Sequence, residues 1–408
     1  MQQLADAAAD RTQPQRQCNR RDPGPDQRWL IGWDGGRRQT WDFGHGGGSI
    51  VICRANCAGF LSRGTANRAM LIEQNRWGGT MQLELDLGGG WQEAVISVRD
   101  LDDWTEIASA ECGWALRHRG HVPRPQLAAW GVDRSVTAEE ALFSCGDHPQ
   151  GFVRFVSFAG ARQHRVRAGA MPWDTGGIFS LMVRARRIDV LTESFLNRGW
   201  TMVADPVTFD YNGQILTNVI LRGPDGVSFG VYERIDPPLT GWPHVKRLSQ
   251  PFNAMQIVRS RDVTRDFHRD VLGFGAFVDN DARNTEPKES NFGFPRNLMT
   301  SYVTKAAIMH PRGRLDAKER DNGRVELIEW DGFDGRDLAE RAVIPNLGIL
   351  ILRWPVKDAN AEAARIAGMG VTLHRPLSRL TIAPYGTVDM FALRTPDGVI
   401  YERFSPAT

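Results

Sequence analysis

The chain has 408 residues, 41% hydrophobic and 24% charged, which is typical of a soluble globular protein long enough for two or more domains. Its 50 basic and 48 acidic residues leave a net charge of +2, which gives no global field to attract nucleic acid or an anionic membrane. It has no apolar run of the roughly 20 residues that a membrane span needs, and its polar start does not resemble a secretory signal, so we expect a cytoplasmic protein.

Residues 1–80 differ in composition from the rest of the chain. They are dense in Arg, Gln, Asn and Gly, and their apolar residues follow no sustained period. Regular patterning begins at Met81. Two interpretations stay open: the segment is a poorly ordered N-terminal extension, or Met81 is the natural start and the preceding residues are not part of the native protein.

From Trp91 onward, a strand, a helix and then further strands recur four times. The four units begin with apolar strands at 93–98, 178–183, 255–258 and 347–352. A linker that contains Pro237, Pro238 and Pro251 separates the second unit from the third. It predicts two domains of two units each, residues 88–236 and residues 251–408.

The second and fourth units end in the same way. Each closes with a Pro-Asp-Gly turn followed by a strand, at 224–234 and at 396–404. Pro presets φ, Asp can accept a hydrogen bond from nearby backbone, and Gly tolerates positive φ, so the tripeptide is a turn with a physical basis. Because the chain is built by repetition, function is expected where the repeats face one another.

Four β-α-β-β-β units in tandem, the helix end Phe267 to Phe274, the Pro-Asp-Gly endings and Tyr385-Gly386 before the last hairpin together resemble the vicinal oxygen chelate superfamily. That superfamily includes glyoxalase I, the fosfomycin and bleomycin resistance proteins, and type I extradiol dioxygenases. The resemblance covers residues 90–405. It implies an α+β fold in which four tandem βαβββ modules form two pseudo-symmetric glyoxalase-like half-barrel pairs. We expect neighbours to pair, the first unit with the second and the third with the fourth.

The resemblance also implies where a divalent metal would be held. Side chains of the first and last strands of two paired units would ligate it and leave positions open for two substrate oxygens. In the first pair these places are Glu93, Phe155, Ile178 and Gly230. One carboxylate among two apolar residues and a glycine cannot hold a metal, so this half is expected to be structural or to cover the substrate.

The second pair is predicted to carry the site. Its last strands present Glu326 and Glu402, and its first strands present Asn253, or Met255 if the register slips by two, and a place near Gly348. Glu326, Glu402 and Asn253 are therefore the expected metal ligands. Two carboxylates with an amide oxygen suit Mg²⁺ or Mn²⁺, with Zn²⁺ or Fe²⁺ as further options. Redox iron is disfavoured because only Glu402 matches the expected set of two His and one Glu.

The leading hypothesis is a glyoxalase-like or dioxygenase-like enzyme, a lyase or isomerase in reaction type, with its cavity in residues 251–408. Glu402 would be catalytic, as a metal ligand or as a general base, and Tyr385 would contact the substrate. The partner would be an aromatic or apolar small molecule, and the chain a monomer or homodimer. The alternative is a metal-free binding protein of the bleomycin-resistance type. A scaffold without a ligand, with both carboxylates in water or bridged to Arg, also stays open.

Overall fold

The computed structural model describes residues 85–211, 213–240, 242–313 and 322–407. The predictions made for residues 1–80 lie outside the described residues. Within these ranges, no helix is long and apolar enough to cross a membrane.

The first two units contain nine strands and three helices. The first unit consists of β1 Glu93–Val98, α1 Leu101–Glu106, β2 Ala115–His121, α2 Arg124–Ala129, β3 Thr137–Ser144 and β4 Phe152–Ala159, and α1 continues into a π-helical turn, Ile107–Glu111. The second unit consists of β5 Ser180–Arg184, α3 Ile188–Asn197, β6 Thr201–Met202, β7 Val207–Tyr211, β8 Gln214–Arg222 and β9 Ser228–Asp236.

The last two units follow the same order with one helix each. The third unit consists of β10 Asn253–Ile257, α4 Arg261–Asp270, β11 Gly275–Arg283, β12 Val303–His310 and β13 Arg324–Asp331. The fourth unit consists of β14 Gly348–Pro355, α5 Ala359–Gly368, β15 Arg375–Ile382, β16 Gly386–Arg394 and β17 Ile400–Pro406. Short 3₁₀ turns lie at Pro224–Gly226, Arg296–Leu298 and Ala339–Arg341.

The strands form two mixed sheets. The eight-stranded sheet has the order β15-β16-β17-β14-β1-β4-β3-β2, and the nine-stranded sheet has the order β11-β12-β13-β10-β5-β9-β8-β6, with β7 also paired to β8. Within each unit the first strand runs parallel to the last. The first strands of two units then pair antiparallel at the centre of each sheet, β1 with β14 and β5 with β10.

The units therefore pair as first with fourth and second with third. This corrects the expectation that neighbours in sequence share a half-barrel. A strand has two hydrogen-bonding edges, and β1 uses one for β4 of its own unit and the other for β14 of the fourth unit. The described residues all belong to one compact unit, so the linker between residues 236 and 251 does not separate two independent sheets.

Neighbouring units are joined through their helical sides instead. The helix-bearing faces of both sheets contribute to one large hydrophobic core. In this core the ring of Trp104 from the first unit stacks on Phe155 at 5.0 Å and meets Trp200 of the second unit at 5.8 Å. In the second half of the chain, His268 of the third unit bonds to the hydroxyl of Tyr401 of the fourth at 2.8 Å.

The repeated Pro-Asp-Gly turns connect these neighbours. The carboxylate of Asp225 accepts hydrogen bonds from the backbone of Arg99, 3.0 Å, and from the indole of Trp104, 3.1 Å, both in the first unit. In the same way Asp397 accepts from the backbone of Arg259, 3.0 Å, and from the hydroxyl of Thr264 in the third unit. The most conspicuous motif of the sequence thus holds each even-numbered unit to the unit before it.

Helices α1, α3, α4 and α5 contribute to this shared core, and the opposite face of each sheet is the inside of a curled half-barrel, which we call a hollow. We call the first hollow the face of the eight-stranded sheet that carries Glu93, Arg154, Arg353 and Glu402. The second hollow is the face of the nine-stranded sheet that carries Met182, Tyr232, Asn253 and Glu326. Separate groups of buried side chains line the two hollows.

The pairing predicts the behaviour of the two halves. Expressed alone, residues 88–236 would leave one edge of β1 and of β5 unpaired, and residues 251–408 would do the same to β10 and β14. Because unpaired central strands invite association, we expect each half to aggregate or oligomerise, and the two to form a soluble one-to-one complex when co-expressed. Size-exclusion chromatography and circular dichroism measure this. Two monomeric halves that each unfold cooperatively would contradict the pairing.

Candidate functional site

The first hollow is centred on four charged side chains from neighbouring strands. Glu93 on β1 lies directly opposite Arg353 on β14, and Arg353 lies opposite Glu402 on β17. Arg154 projects from β4 on the other side of β1. Every position of β1 and β14 is buried, so these charges lie in strands that are otherwise mostly apolar.

These four side chains form a continuous network of ion pairs. Arg154 donates two hydrogen bonds to Glu93, at 2.7 and 2.9 Å. Arg353 bridges the two acids, with Nη1 at 2.6 Å from Glu93 and Nε at 2.8 Å from Glu402. None of the four side chains is more than 3% exposed. Charges this deeply buried are tolerated because each one contacts an opposite charge.

Further polar groups complete the network. Glu140 pairs with Arg154 at 2.7 Å, and Arg375 lies 3.4 Å from Glu402. The indole of Trp130 donates to Glu402 at 2.7 Å, and the hydroxyl of Tyr385 donates to Glu93 at 2.8 Å. Three guanidinium groups therefore face three carboxylates, and Tyr385, predicted to contact a substrate, contacts the network instead.

The arginines keep the acids ionised. Burial by itself would raise the pKa of Glu93, but the charges of Arg154 and Arg353 outweigh burial and hold the pKa below its ordinary value. For Glu140 burial is again outweighed by Arg154, and the pKa falls to about 2. Glu93 and Glu140 are thus ionised at neutral pH, and neither is poised to exchange a proton.

This arrangement does not fit a divalent metal. Two of the four central positions hold arginine, and a guanidinium has no lone pair to offer a cation. Glu402 is bonded to Arg353 and Trp130, and the cavity beside it measures about 10 Å³, room for no more than one water. Across the described ranges, no group of three or more His, Cys, Asp or Glu side chains could hold a metal ion.

Sequence reasoning missed both arginines. It placed Phe155 and a residue near Gly348 at these positions, whereas Phe155 faces the helical core. A shift of one residue moves a strand side chain to the opposite face, which is the size of the error in β4. The signal that was present is a single arginine inside an apolar run, as at Arg154 and Arg353, because a buried guanidinium requires an acidic partner.

The second hollow contains one acid with little compensation. The amide of Asn253 donates to Glu326 at 2.9 Å, which brings together two of the three predicted metal ligands. Burial raises the pKa of Glu326 to about 7, and the hydrogen bond from Asn253 only partly opposes this. The carboxyl is partly exposed, and the side-chain oxygen of Asn253 has no hydrogen-bond partner.

Aromatic side chains line this second hollow. Phe292 and Phe294 each lie 4.9 Å from the ring of Trp330 on β13, and Tyr302 lies 5.5 Å from it. These three residues come from the connection between β11 and β12, which folds over the sheet. The result is an apolar, ring-lined surface on the sheet face that also carries the carboxyl of Glu326, a composition typical of a small-molecule site.

The predicted positions Ile178 and Gly230 do not contribute ligands here either. The side chain of Met182 takes the space beside Gly230, where any Cβ would collide with the methionine sulfur. Ile178 lies before β5 and belongs to the helical core. Glu326 is joined by the amide of Asn253, and among the described residues no set of three His, Cys, Asp or Glu forms around it, so this position does not fit a divalent metal either.

The structure does not bring Glu326 and Glu402 together. Glu402 and Tyr385 belong to the first hollow, whereas Glu326 and Asn253 belong to the second, and the two lie in different sheets. The expectation of a shared site failed because it depended on the third and fourth units pairing with each other. Glu402 lies in the sheet that the fourth unit shares with the first, and Glu326 lies in the sheet that the third unit shares with the second.

No family model matches the sequence, and no curated protein matches it. Among solved structures, glyoxalase I from Zea mays aligns with a TM-score of 0.50 and 14% identity, covering 78% of this chain and 92% of that chain. A variant of that enzyme with one Glu replaced by Gln gives a TM-score of 0.52 and 16% identity, covering 78% and 94%. The chain has the glyoxalase fold. This confirms the predicted fold class and, at the level of fold alone, the resemblance to the vicinal oxygen chelate superfamily.

The ion network makes a prediction about stability. Replacing Arg353 with Met removes the cation between Glu93 and Glu402 and leaves both acids partly uncompensated in a buried site. We expect the free energy of unfolding to fall by about 3–5 kcal/mol, measured by urea denaturation at pH 7. The exposed Arg187, paired with Asp189, is the matched control, and Arg187→Met should have little effect. A small effect of Arg353→Met would contradict a compensated buried network.

Glu326 makes a prediction about pH. The unfolded chain loses this proton near the ordinary pKa of 4.5 and the folded protein at about 7, so only the unfolded state ionises between these values. The wild-type free energy of unfolding therefore falls as pH rises through this window. Glu326→Gln avoids the loss and should gain about 3 kcal/mol relative to wild type from pH 4.5 to pH 7, then no more. A difference that does not change with pH would contradict the raised pKa.

Proposed function

We propose that the protein is a metal-independent small-molecule enzyme with the glyoxalase fold, whose active site is the second hollow and whose general base is Glu326. One observation carries this proposal: a partly exposed carboxyl with a pKa of about 7 inside an aromatic hollow. A carboxylate with this pKa is a stronger base than an ordinary one and is still half ionised at neutral pH.

The reaction class follows from the base. A group with a pKa near 7 can take a proton from carbon next to a carbonyl and return it elsewhere, which is the chemistry of an isomerase or lyase. Asn253 orients the carboxyl through its 2.9 Å hydrogen bond. Among the described residues, neither hollow supplies the two-His-one-carboxylate set of non-haem iron, so the residues present give no support to dioxygenase chemistry.

The partner in this proposal is an aromatic or apolar small molecule. Phe292, Phe294 and Trp330 offer ring faces for such a body on the sheet face that also carries Glu326. Both sheets are completed within one chain, so a second copy is not needed to form the site. We propose Glu326 in place of Glu402 as the catalytic carboxylate, and Tyr385 as a residue that supports the first hollow through Glu93.

A second candidate function is a metal-free binding protein that only holds an apolar guest. The density of rings around Trp330 favours it, because such a lining binds aromatic molecules without any chemistry. The two candidates differ in whether the charge of Glu326 matters. In a binding protein, Glu326→Gln would keep affinity for the guest and there would be no rate to lose.

The base can be tested without knowing the natural substrate. The probe 5-nitrobenzisoxazole opens its ring when a base removes its C–H proton, and absorbance follows the product. We expect the wild-type rate to rise with pH and level off above an inflection near 7. Glu326→Gln should lower the rate by about 100-fold, since a positioned base contributes about that much.

The control is Glu139→Gln, which removes an exposed carboxylate on β3 and should leave the rate unchanged. Folding of each variant is checked by circular dichroism and by its unfolding temperature. Equal rates for wild type and Glu326→Gln would overturn the enzyme proposal. Quenching of tryptophan fluorescence by 2-naphthol, with no Glu326-dependent rate, would favour the binding protein.

A further inference from the structure

One end of the second hollow carries two arginines without an acidic partner. Arg184 ends β5 two residues after Met182, so it faces the hollow, and it lies directly opposite Tyr232 on β9. Arg234 follows two residues later on the same strand as Tyr232 and faces the same way. Within the part of the chain that the structure describes, no carboxylate lies within ion-pairing distance of Arg184 or Arg234.

Both guanidinium groups have N–H groups that donate no hydrogen bond. The Nε atoms of Arg184 and Arg234 are buried and have no acceptor, and Arg234 makes one side-chain bond of 3.3 Å to Gln214. Arg184 is held in place by packing, with its guanidinium 4.7 Å from the ring of Phe252 and 5.7 Å from that of Trp242. A buried donor without an acceptor costs free energy, so this site favours a molecule that supplies one.

Among the described residues, no carboxylate balances the charges of Arg184 and Arg234. Burial, with the neighbouring charges of Arg234 and Arg324, lowers the pKa of Arg184 to about 10, which means that the cation is held under repulsion. The first hollow shows the contrast, since three guanidinium groups there face three carboxylates. Among the described residues, the arginines of the first hollow therefore face carboxylates, whereas Arg184 and Arg234 in the second hollow do not.

We propose that Arg184 and Arg234 bind an oxyanion of the ligand, a carboxylate or phosphate group attached to an aromatic or apolar body. The planar guanidinium fork matches both oxyanions, and the rings of Tyr232 and Phe252, which lie 6.4 Å apart beside Arg184, accommodate the body. Tyr232 lies directly opposite Arg184, and burial together with the charge of Glu326 raises the pKa of its hydroxyl, so Arg184 and Glu326 both act on the same tyrosine. This inference rests on the proposed function only in taking the second hollow as the ligand site.

The test compares three probes that share one body and differ in charge: 2-naphthoate, 2-naphthyl phosphate and neutral 2-naphthamide. Isothermal titration calorimetry at low salt measures their affinities. We expect at least one of the two anions to bind wild type at least about tenfold more tightly than the amide, since a hydrogen bond to a charged group contributes about that much. The tighter of the two anions identifies the oxyanion.

Arg184→Gln should remove this preference and leave amide binding unchanged. Arg234→Gln is the second variant, which keeps the test valid if Arg184→Gln does not fold. The matched control is Arg187→Gln, which alters an exposed arginine that already pairs with Asp189 and should keep the preference.

Equal affinity for anions and amide in wild type, or no binding of any probe, would overturn the inference. So would a preference for anions that survives both Arg184→Gln and Arg234→Gln. These results are separate from those for the base. Binding that depends on Arg184 without a Glu326-dependent rate would overturn the enzyme proposal alone, whereas a Glu326-dependent rate without preference for anions would overturn only this inference.

Discussion

The antiparallel pairing of first strands, β1 with β14 and β5 with β10, is the constraint on which the rest of the structure depends. It decides which units share a sheet and therefore which side chains meet across the centre of each hollow. Glu93 faces Arg353 only because the first unit pairs with the fourth. Because the third unit pairs with the second, Glu326 lies in the nine-stranded sheet, whereas Glu402 lies in the eight-stranded sheet. A site formed by side chains of two paired units therefore exists only if those two units share a sheet.

The two hollows share one architecture but differ in how their buried carboxylates are compensated. In the first, each buried carboxylate contacts a guanidinium, so the charges of the site are compensated by ion pairs. In the second, Glu326 has an amide as its side-chain partner, and burial moves its pKa into the range where proton transfer at neutral pH is possible. Likeness of fold is therefore a poor guide to chemistry here, and the side chains carry the argument.

Units that are neighbours along the chain contact each other through one surface, and units that share a sheet contact each other through another. Neighbouring units pack through their helices and through Asp225 and Asp397, whose carboxylates hold the segments that lead into α1 and α4. Distant units join through strand hydrogen bonds. Because each unit takes part in both kinds of contact, the four units form one body, and the proline-containing linker marks a connection between repeats rather than a division between independently paired halves.

The sequence by itself determined the four repeated units, the α+β fold and the Pro-Asp-Gly turns, because alternation and turn chemistry are recorded in residues close together along the chain. It also placed Asn253 and Glu326 on strands that turn out to be neighbours. It did not show which edge of β1 meets which distant strand, since any apolar strand edge can pair with any other. Only the tertiary structure decided that Glu402 would be neutralised by Arg353 while Glu326 would not, because burial and partners depend on which units close each sheet.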